Sequence, residues 1–79
     1  MAQVHSDMYY YDIVRKKIKQ FRIKKGYTQQ KLADEVGMSI DFLAEIESEK
    51  RRKTFSLAIL GRIADVLEID IKEFFNNKK

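Results

Sequence analysis

The stretch at residues 28–47, TQQKLADEVGMSIDFLAEIE, constrains this chain more than any other. It reads as two short helices with a tight turn between them. Thr28 is a candidate N-cap, because its hydroxyl can accept from a first-turn N–H that has no partner inside the helix. Leu32, Ala33 and Val36 then recur on one face at helical spacing. Gly37 follows, where a left-handed residue ends a helix without a Cβ penalty. Met38 is apolar, Ser39 is a second candidate N-cap, and Leu43 and Ile46 continue an apolar stripe in the next helix. Ala33 gives the first of these helices a small surface where the second crosses it closely.

The flanking sequence supplies helices to pack around this pair. Residues 1–8 show no period and read as an N-terminal arm. Tyr9, Tyr10 and Tyr11 follow; three adjacent rings cannot share one helix face, so at least one is expected in solvent. Helix one is expected over about residues 10–25, burying Val14, Ile18 and Phe21, with Gly26 at its C-cap and Tyr27 packed back on the core. Helix four is expected over 57–67, with Ser56 as N-cap and Leu57, Leu60, Ile63, Ala64 and Leu67 on its apolar side. Gly61 inside it costs about 1 kcal/mol against Ala, and close helix packing is the expected reason. Asp70 can cap a short fifth helix over 71–75, from which Ile71 and Phe74, with Ile69 before it, reach the core. Phe75 is left over and suggests a partner surface. Residues 76–79 read as a frayed tail. The expected fold is all-α: five helices in one domain over residues 9–75.

Composition narrows the function. A 79-residue chain forms one core and buries only ~60% of the surface of its unfolded form, so it gains from dimerisation. It has no cysteine and no apolar run of spanning length, which points away from a membrane and toward the cytoplasm. His5, the only histidine, lies in the arm. There is no Gly-rich phosphate loop and no metal-ligand spacing, so no catalytic residue, metal or cofactor is expected and the chain does not read as an enzyme. The net charge of +4 is uninformative until it is mapped. Arg15, Lys16, Lys17, Lys19, Arg22, Lys24 and Lys25 form a run with no acid in it. Asp34, Glu35, Asp41, Glu45, Glu47 and Glu49 form a stretch with no base in it, and Lys50, Arg51, Arg52 and Lys53 follow. Each basic group is either a solvated face or a surface for phosphate.

Thr28-Gln29-x-x-Leu32-Ala33, then Val36-Gly37-Met38-Ser39, then Leu43-x-x-Ile46-Glu47 resembles the helix-turn-helix of the lambda-type repressor and Cro family, the Xre-like regulators of bacteria and phages. The likeness runs from about residue 14 to residue 75. It implies a compact lambda-repressor-like domain whose second motif helix lies in the DNA major groove. It also implies a sequence-specific regulator of transcription, a dimeric repressor or controller on a palindromic operator. The expected partners are therefore double-stranded DNA and a second copy of the chain, with no small-molecule ligand.

Site residues follow from that resemblance position by position. Gln29 matches a phosphate-binding glutamine at the start of the first motif helix, with Thr28 beside it. Ser39, Ile40, Asp41, Ala44 and Glu45 occupy base-reading positions. This helix departs from the usual amide and guanidinium readers. Asp41 and Glu45 can accept from cytosine N4, and Ile40 or Ala44 can touch a thymine methyl. The acids also repel phosphate, which supports a second reading: a protein-interaction module, antitoxin-like or regulator-binding, that keeps the fold and binds DNA weakly. Arg22 and Glu47 match a structural ion pair between the first and third helices. Relatives carry Gly two residues after that Glu and Pro before helix four. Glu49 and Phe55 stand near those places here, and the link is about two residues longer, so helix three is expected to run on by a turn. Lys50, Arg51 and Arg52 are then a solvated loop or a phosphate clamp. Ile71, Phe74 and Phe75 are the leading dimer residues, and the tyrosines come second.

Overall fold

The computed structural model describes residues 4–76. Among the described residues there are four α-helices and one 3-10 helix: α1 (Tyr9–Lys24), α2 (Gln29–Val36), α3 (Ile40–Glu47), α4 (Leu57–Leu67), and the 3-10 helix Ile71–Phe75. The expected fifth helix is thus a single tight 3-10 segment. Met1 to Gln3 of the expected arm and residues 77–79 of the expected tail lie outside the described residues.

Local chemistry sets each boundary. The hydroxyls of Thr28, Ser39 and Ser56 accept from the N–H groups of Lys31, Phe42 and Ile59, each at 3.1 Å. The Asp70 carboxylate accepts from the Lys72 N–H at 3.0 Å. These side chains satisfy donors that the first turn of a helix leaves unpaired. At the end of α1, Gly26 adopts φ +81°. The Tyr27 N–H then reaches back to the Arg22 carbonyl at 3.0 Å and the Gly26 N–H to that of Ile23 at 2.9 Å, closing a Schellman turn.

One core joins all five elements. Val14 and Ile18 of α1 meet Leu32, Ala33 and Val36 of α2, Leu43 and Ile46 of α3, and Leu60, Ile63, Ala64 and Leu67 of α4. Phe74 closes the core with no exposed surface and packs edge-on against Phe21, ring centres 6.0 Å apart.

Several expectations are corrected. Gly61 is not a close-packing site, since beyond its own helix backbone and chain neighbours no heavy atom lies within 4 Å of where its Cβ would stand. Leu57 opens α4 but is 73% exposed, because the first residue of that helix projects past the core. Helix three does not run on. Ser48 is extended (ψ 122°), its hydroxyl accepts from the Arg51 N–H and its carbonyl from the Arg52 N–H, both at 3.1 Å. A serine that bonds the following backbone in this way competes with helix propagation. Phe74 cannot serve a dimer surface, because it is already consumed by the monomer core.

Candidate nucleic-acid interface

The geometry of the site begins at the turn between α2 and α3. Gly37 takes φ +88°, so the chain reverses within Met38 and Ser39, and the N–H groups of both Gly37 and Met38 reach the Ala33 carbonyl at 2.9 and 3.0 Å. Ala33, fully buried, leaves room for α3 to cross α2. Leu43 and Ile46 point inward with no exposed surface. Ser39, Ile40 and Asp41 consequently stand in solvent, and Ala44 and Glu45 are half-buried on the same outward side. Asp41 lies in the first turn of α3, where a negative charge suits the helix dipole.

At the other end of α3 a polar cluster takes over. Arg22 grips Glu47 with two parallel bonds, Nε to Oε2 at 2.8 Å and Nη2 to Oε1 at 3.0 Å. Both residues are buried. Such a fork matches carboxylate geometry and is stronger than a single contact. Arg22 Nη1 also donates to the Tyr27 carbonyl at 2.8 Å. Gln29 Nε2 donates to Glu47 Oε1 at 3.1 Å. The start of α2, the end of α3 and the last turn of α1 are therefore tied to one carboxylate. Gln29, expected on phosphate, has its amide group fixed from behind by Glu47 and remains partly exposed.

Two residues of this cluster escaped the sequence reading. Arg15 is the largest fully buried side chain. Its Nη1 donates to the Ile46 carbonyl at 2.7 Å and to the Lys53 carbonyl at 3.1 Å, and its Nε donates to Asp12 at 3.1 Å. Asp12 in turn accepts from Arg52 Nη2 at 2.6 Å. The hydrogen bond from Arg52 holds the Asp12 carboxyl below its ordinary value; partial burial opposes the shift and Arg15 reinforces it. A signal for Arg15 existed. Arg15, Ile18 and Arg22 stand at i, i+3 and i+7, one stripe of α1, so two of the seven bases in that run face inward.

The basic turn after α3 is divided rather than uniform. Arg51 Nη1 donates to Glu45 Oε2 at 3.1 Å, and Lys53 Nζ lies 3.6 Å from Glu45 Oε1. Arg52, at φ +50°, faces Asp12 on α1 instead. Arg51 and Arg52, grouped together on phosphate by the sequence reading, thus serve different carboxylates. Arg51 and Glu45, assigned to separate groups, are brought together. Lys50 is exposed at the tip of the turn, and Thr28 is exposed with its hydroxyl used as a cap.

Away from this face, Phe75 is 45% exposed and Tyr10 56%, and together with Leu57 they border an apolar groove floored by Val14 and Leu60. Tyr11 is held on Phe55 there, with ring centres 5.0 Å apart. Ile71 is half-buried. Among the described residues no cluster of His, Cys, Asp or Glu has metal-binding geometry. No helix among them is long and apolar enough to cross a membrane.

A family profile described as helix-turn-helix matches residues 18–74. The chain is 42% identical over 62 residues to YazB of Bacillus subtilis, described as an uncharacterized HTH-type transcriptional regulator; the match covers 78% of this chain and 87% of that protein. It is 29% identical over 66 residues to the HTH-type transcriptional regulator SinR of Bacillus licheniformis, covering 84% of this chain but only 59% of SinR. Among solved structures, SinR, a master regulator of biofilm formation captured in complex with DNA, superposes with a TM-score of 0.72 at 27% identity. That superposition covers 80% of this chain and 98% of the SinR chain.

Proposed function

This chain belongs to the helix-turn-helix family of the lambda-repressor and Xre type, and we propose that it binds operator DNA through α3 and regulates transcription. One observation carries the reading. The outward face of α3 is presented by a cap–turn–cap junction at one end and by the Arg22–Glu47–Gln29 cluster at the other. A short helix fixed at both ends, with its inner face consumed by the core, has the geometry a major groove admits. The DNA-bound SinR structure supports the same use of the fold. In this reading Ile40, Asp41 and Ala44 meet base edges, with Ser39 at the helix start and Glu45 on the same face. Thr28, Gln29 and Lys50 meet the backbone on either side.

The regulator acts as a homodimer on a two-fold related site. Phe75, Tyr10 and Leu57 around the apolar groove provide the surface for a second copy, since closed two-fold assemblies mirror palindromic operators. The placement of a repressor or controller in the cytoplasm follows from that role.

Gel-shift titration tests the proposal. Genomic fragments should shift at low salt, and a minority should stay bound as salt rises. Binding should fall with a log–log slope of about 0.9 per phosphate contacted. Complete absence of a shift at low salt would overturn the DNA reading. Asp41 and Glu45 on the outward face favour the protein-interaction module as the second reading, and that outcome would select it.

A further inference from the structure

The turn after α3 carries an arginine in an unusual position for a phosphate clamp. Asp41, Ala44, Glu45 and Ser48 stand at i, i+3, i+4 and i+7, so they share one face, and with Arg51 they line a single open groove. Arg51 reaches this face because the Ser48 hydroxyl accepts its N–H at 3.1 Å, which folds the turn back over the helix. The next residue, Arg52, is anchored to Asp12, so the turn is pinned on both sides of Arg51. The Arg51 side chain is 69% exposed. One of its guanidinium nitrogens donates to Glu45 Oε2 at 3.1 Å.

We propose that Arg51 reads a guanine in the major groove and that Glu45 is its positioning residue. The proposal rests on the DNA-binding reading above and deepens it. Guanine offers O6 and N7 side by side, and a guanidinium donates to both at once. A free arginine loses considerable rotamer freedom in doing so; one already held by a carboxylate loses less. The pairing also answers the difficulty of an acid facing DNA. Glu45 is flanked by Arg51 and by Lys53 at 3.6 Å, so the repulsion between its carboxylate and phosphate is offset within the protein. Glu45 thereby acts through Arg51 instead of accepting from cytosine. Lys50, at the tip of the same turn and outside that groove, remains the phosphate contact.

Selection from a random DNA library, followed by substitution of 7-deazaguanine at each guanine of the selected site, tests this. Deaza substitution removes the N7 acceptor alone. With the wild-type protein, one guanine in each half-site should be sensitive, losing roughly 5- to 150-fold in affinity when replaced by another base. Arg51→Met keeps the length and the exposed position but loses the guanidinium donors. It should abolish the deaza effect at that guanine while the other guanines of the site keep theirs. Glu45→Gln should raise affinity for random DNA and weaken discrimination at the same guanine only. If Arg51→Met lowers binding to all sequences alike and leaves the deaza pattern unchanged, Arg51 is a phosphate contact and the proposal fails. If the wild type enriches no sequence from the library, the DNA-binding reading fails and takes this proposal with it.

Discussion

At its N-terminal end α3 is held by apolar packing, a left-handed glycine and one hydroxyl; at its C-terminal end it is held by charge. Leu43 is fully buried, Met38 packs at the core margin, and the Ser39 cap is the single side-chain bond in the turn. At the far end Glu47 receives three hydrogen bonds from Arg22 and Gln29, and Arg15 takes the Ile46 and Lys53 carbonyls. Apolar burial is non-directional and tolerates small shifts. Charge-assisted bonds are directional and fix atoms. The first kind of hold positions a helix against a core. The second kind also sets the start of α2 and the turn carrying Arg51, which apolar contact alone leaves loose.

The largest effect that tests this contrast is at Arg22. Arg22→Ala leaves the buried Glu47 carboxylate with only the Gln29 amide. Breaking one partner of a buried pair costs about 3–5 kcal/mol, a large share of the stability of a small domain. Urea unfolding should show that loss. A loss under about 1 kcal/mol, the range of exposed pairs, would mean the charged end is no stronger than an ordinary surface contact.

Arg15 comes next. Arg15→Met keeps length and apolar volume but leaves the Ile46 and Lys53 carbonyls without their donor. The unsatisfied Ile46 acceptor, which is buried, costs about 1–3 kcal/mol, and the part-buried Lys53 carbonyl less. Amide hydrogen exchange should quicken in residues 48–53 while protection at the α2–α3 turn stays as in the wild type. Equal loss of protection at both ends would show that the two ends form one cooperative unit.

That same contrast explains what was legible in the sequence. The apolar end was readable because its signals are local and periodic. Thr28, Gly37 and Ser39 each act within a few residues, and the stripe from Leu32 to Ile46 follows helical spacing. The charged end was readable only at Arg22 and Glu47, where the resemblance supplied a pair 25 residues apart. Arg15 and Asp12 were missed because their partners, Lys53 and Arg52, are 38 and 40 residues away. A charged side chain carries no periodic mark of which distant group it will meet. The turn after α3 misled for a related reason. Its helical continuation was inferred from length, while the Ser48 hydroxyl redirected the backbone. Phe74 on the core and Phe75 left over were legible from spacing, and only the grouping of Phe74 with the dimer residues fails, because the tight 3-10 turn sends it fully into the core and leaves Phe75 45% exposed.

On the apolar side, Ser39→Ala removes the one side-chain hydrogen bond of the turn. Loss of an N-cap of this kind costs about 0.5–2 kcal/mol. The loss should be the same at low and moderate salt, because no ion pair is involved, whereas the cost of Arg52→Ala, which removes an exposed pair with Asp12, should shrink as salt screens it. A salt-dependent Ser39→Ala effect would blur the distinction between the two ends.

The smallest effect is at Asp12. Its carboxyl is lowered from the ordinary 3.8, first by the hydrogen bond from Arg52 and also by Arg15, against a partial desolvation that raises it. A carboxyl lowered on folding contributes stability that is fully present above the unfolded value. That contribution is lost as pH falls through the folded value. The window is therefore below 3.8. The side chains of Asp12 and Arg52 are 35% and 47% exposed, so solvent screens the pair and the contribution is at most about 1 kcal/mol. Comparison of the wild type with Asp12→Asn isolates it from the other acids. The wild type should be the more stable above 3.8, and the difference should vanish on acidification below that value. Carboxyl titration by NMR should give the Asp12 midpoint directly, with the amide signals of Arg51, Arg52 and Lys53 following it and those of Gly37, Met38 and Ser39 unmoved. If Asp12 titrates at or above its ordinary value, Arg52 is not held on α1. The turn that carries Arg51 is then pinned only by Ser48 and Arg15, and the charged end loses its claim to fix that turn on both sides.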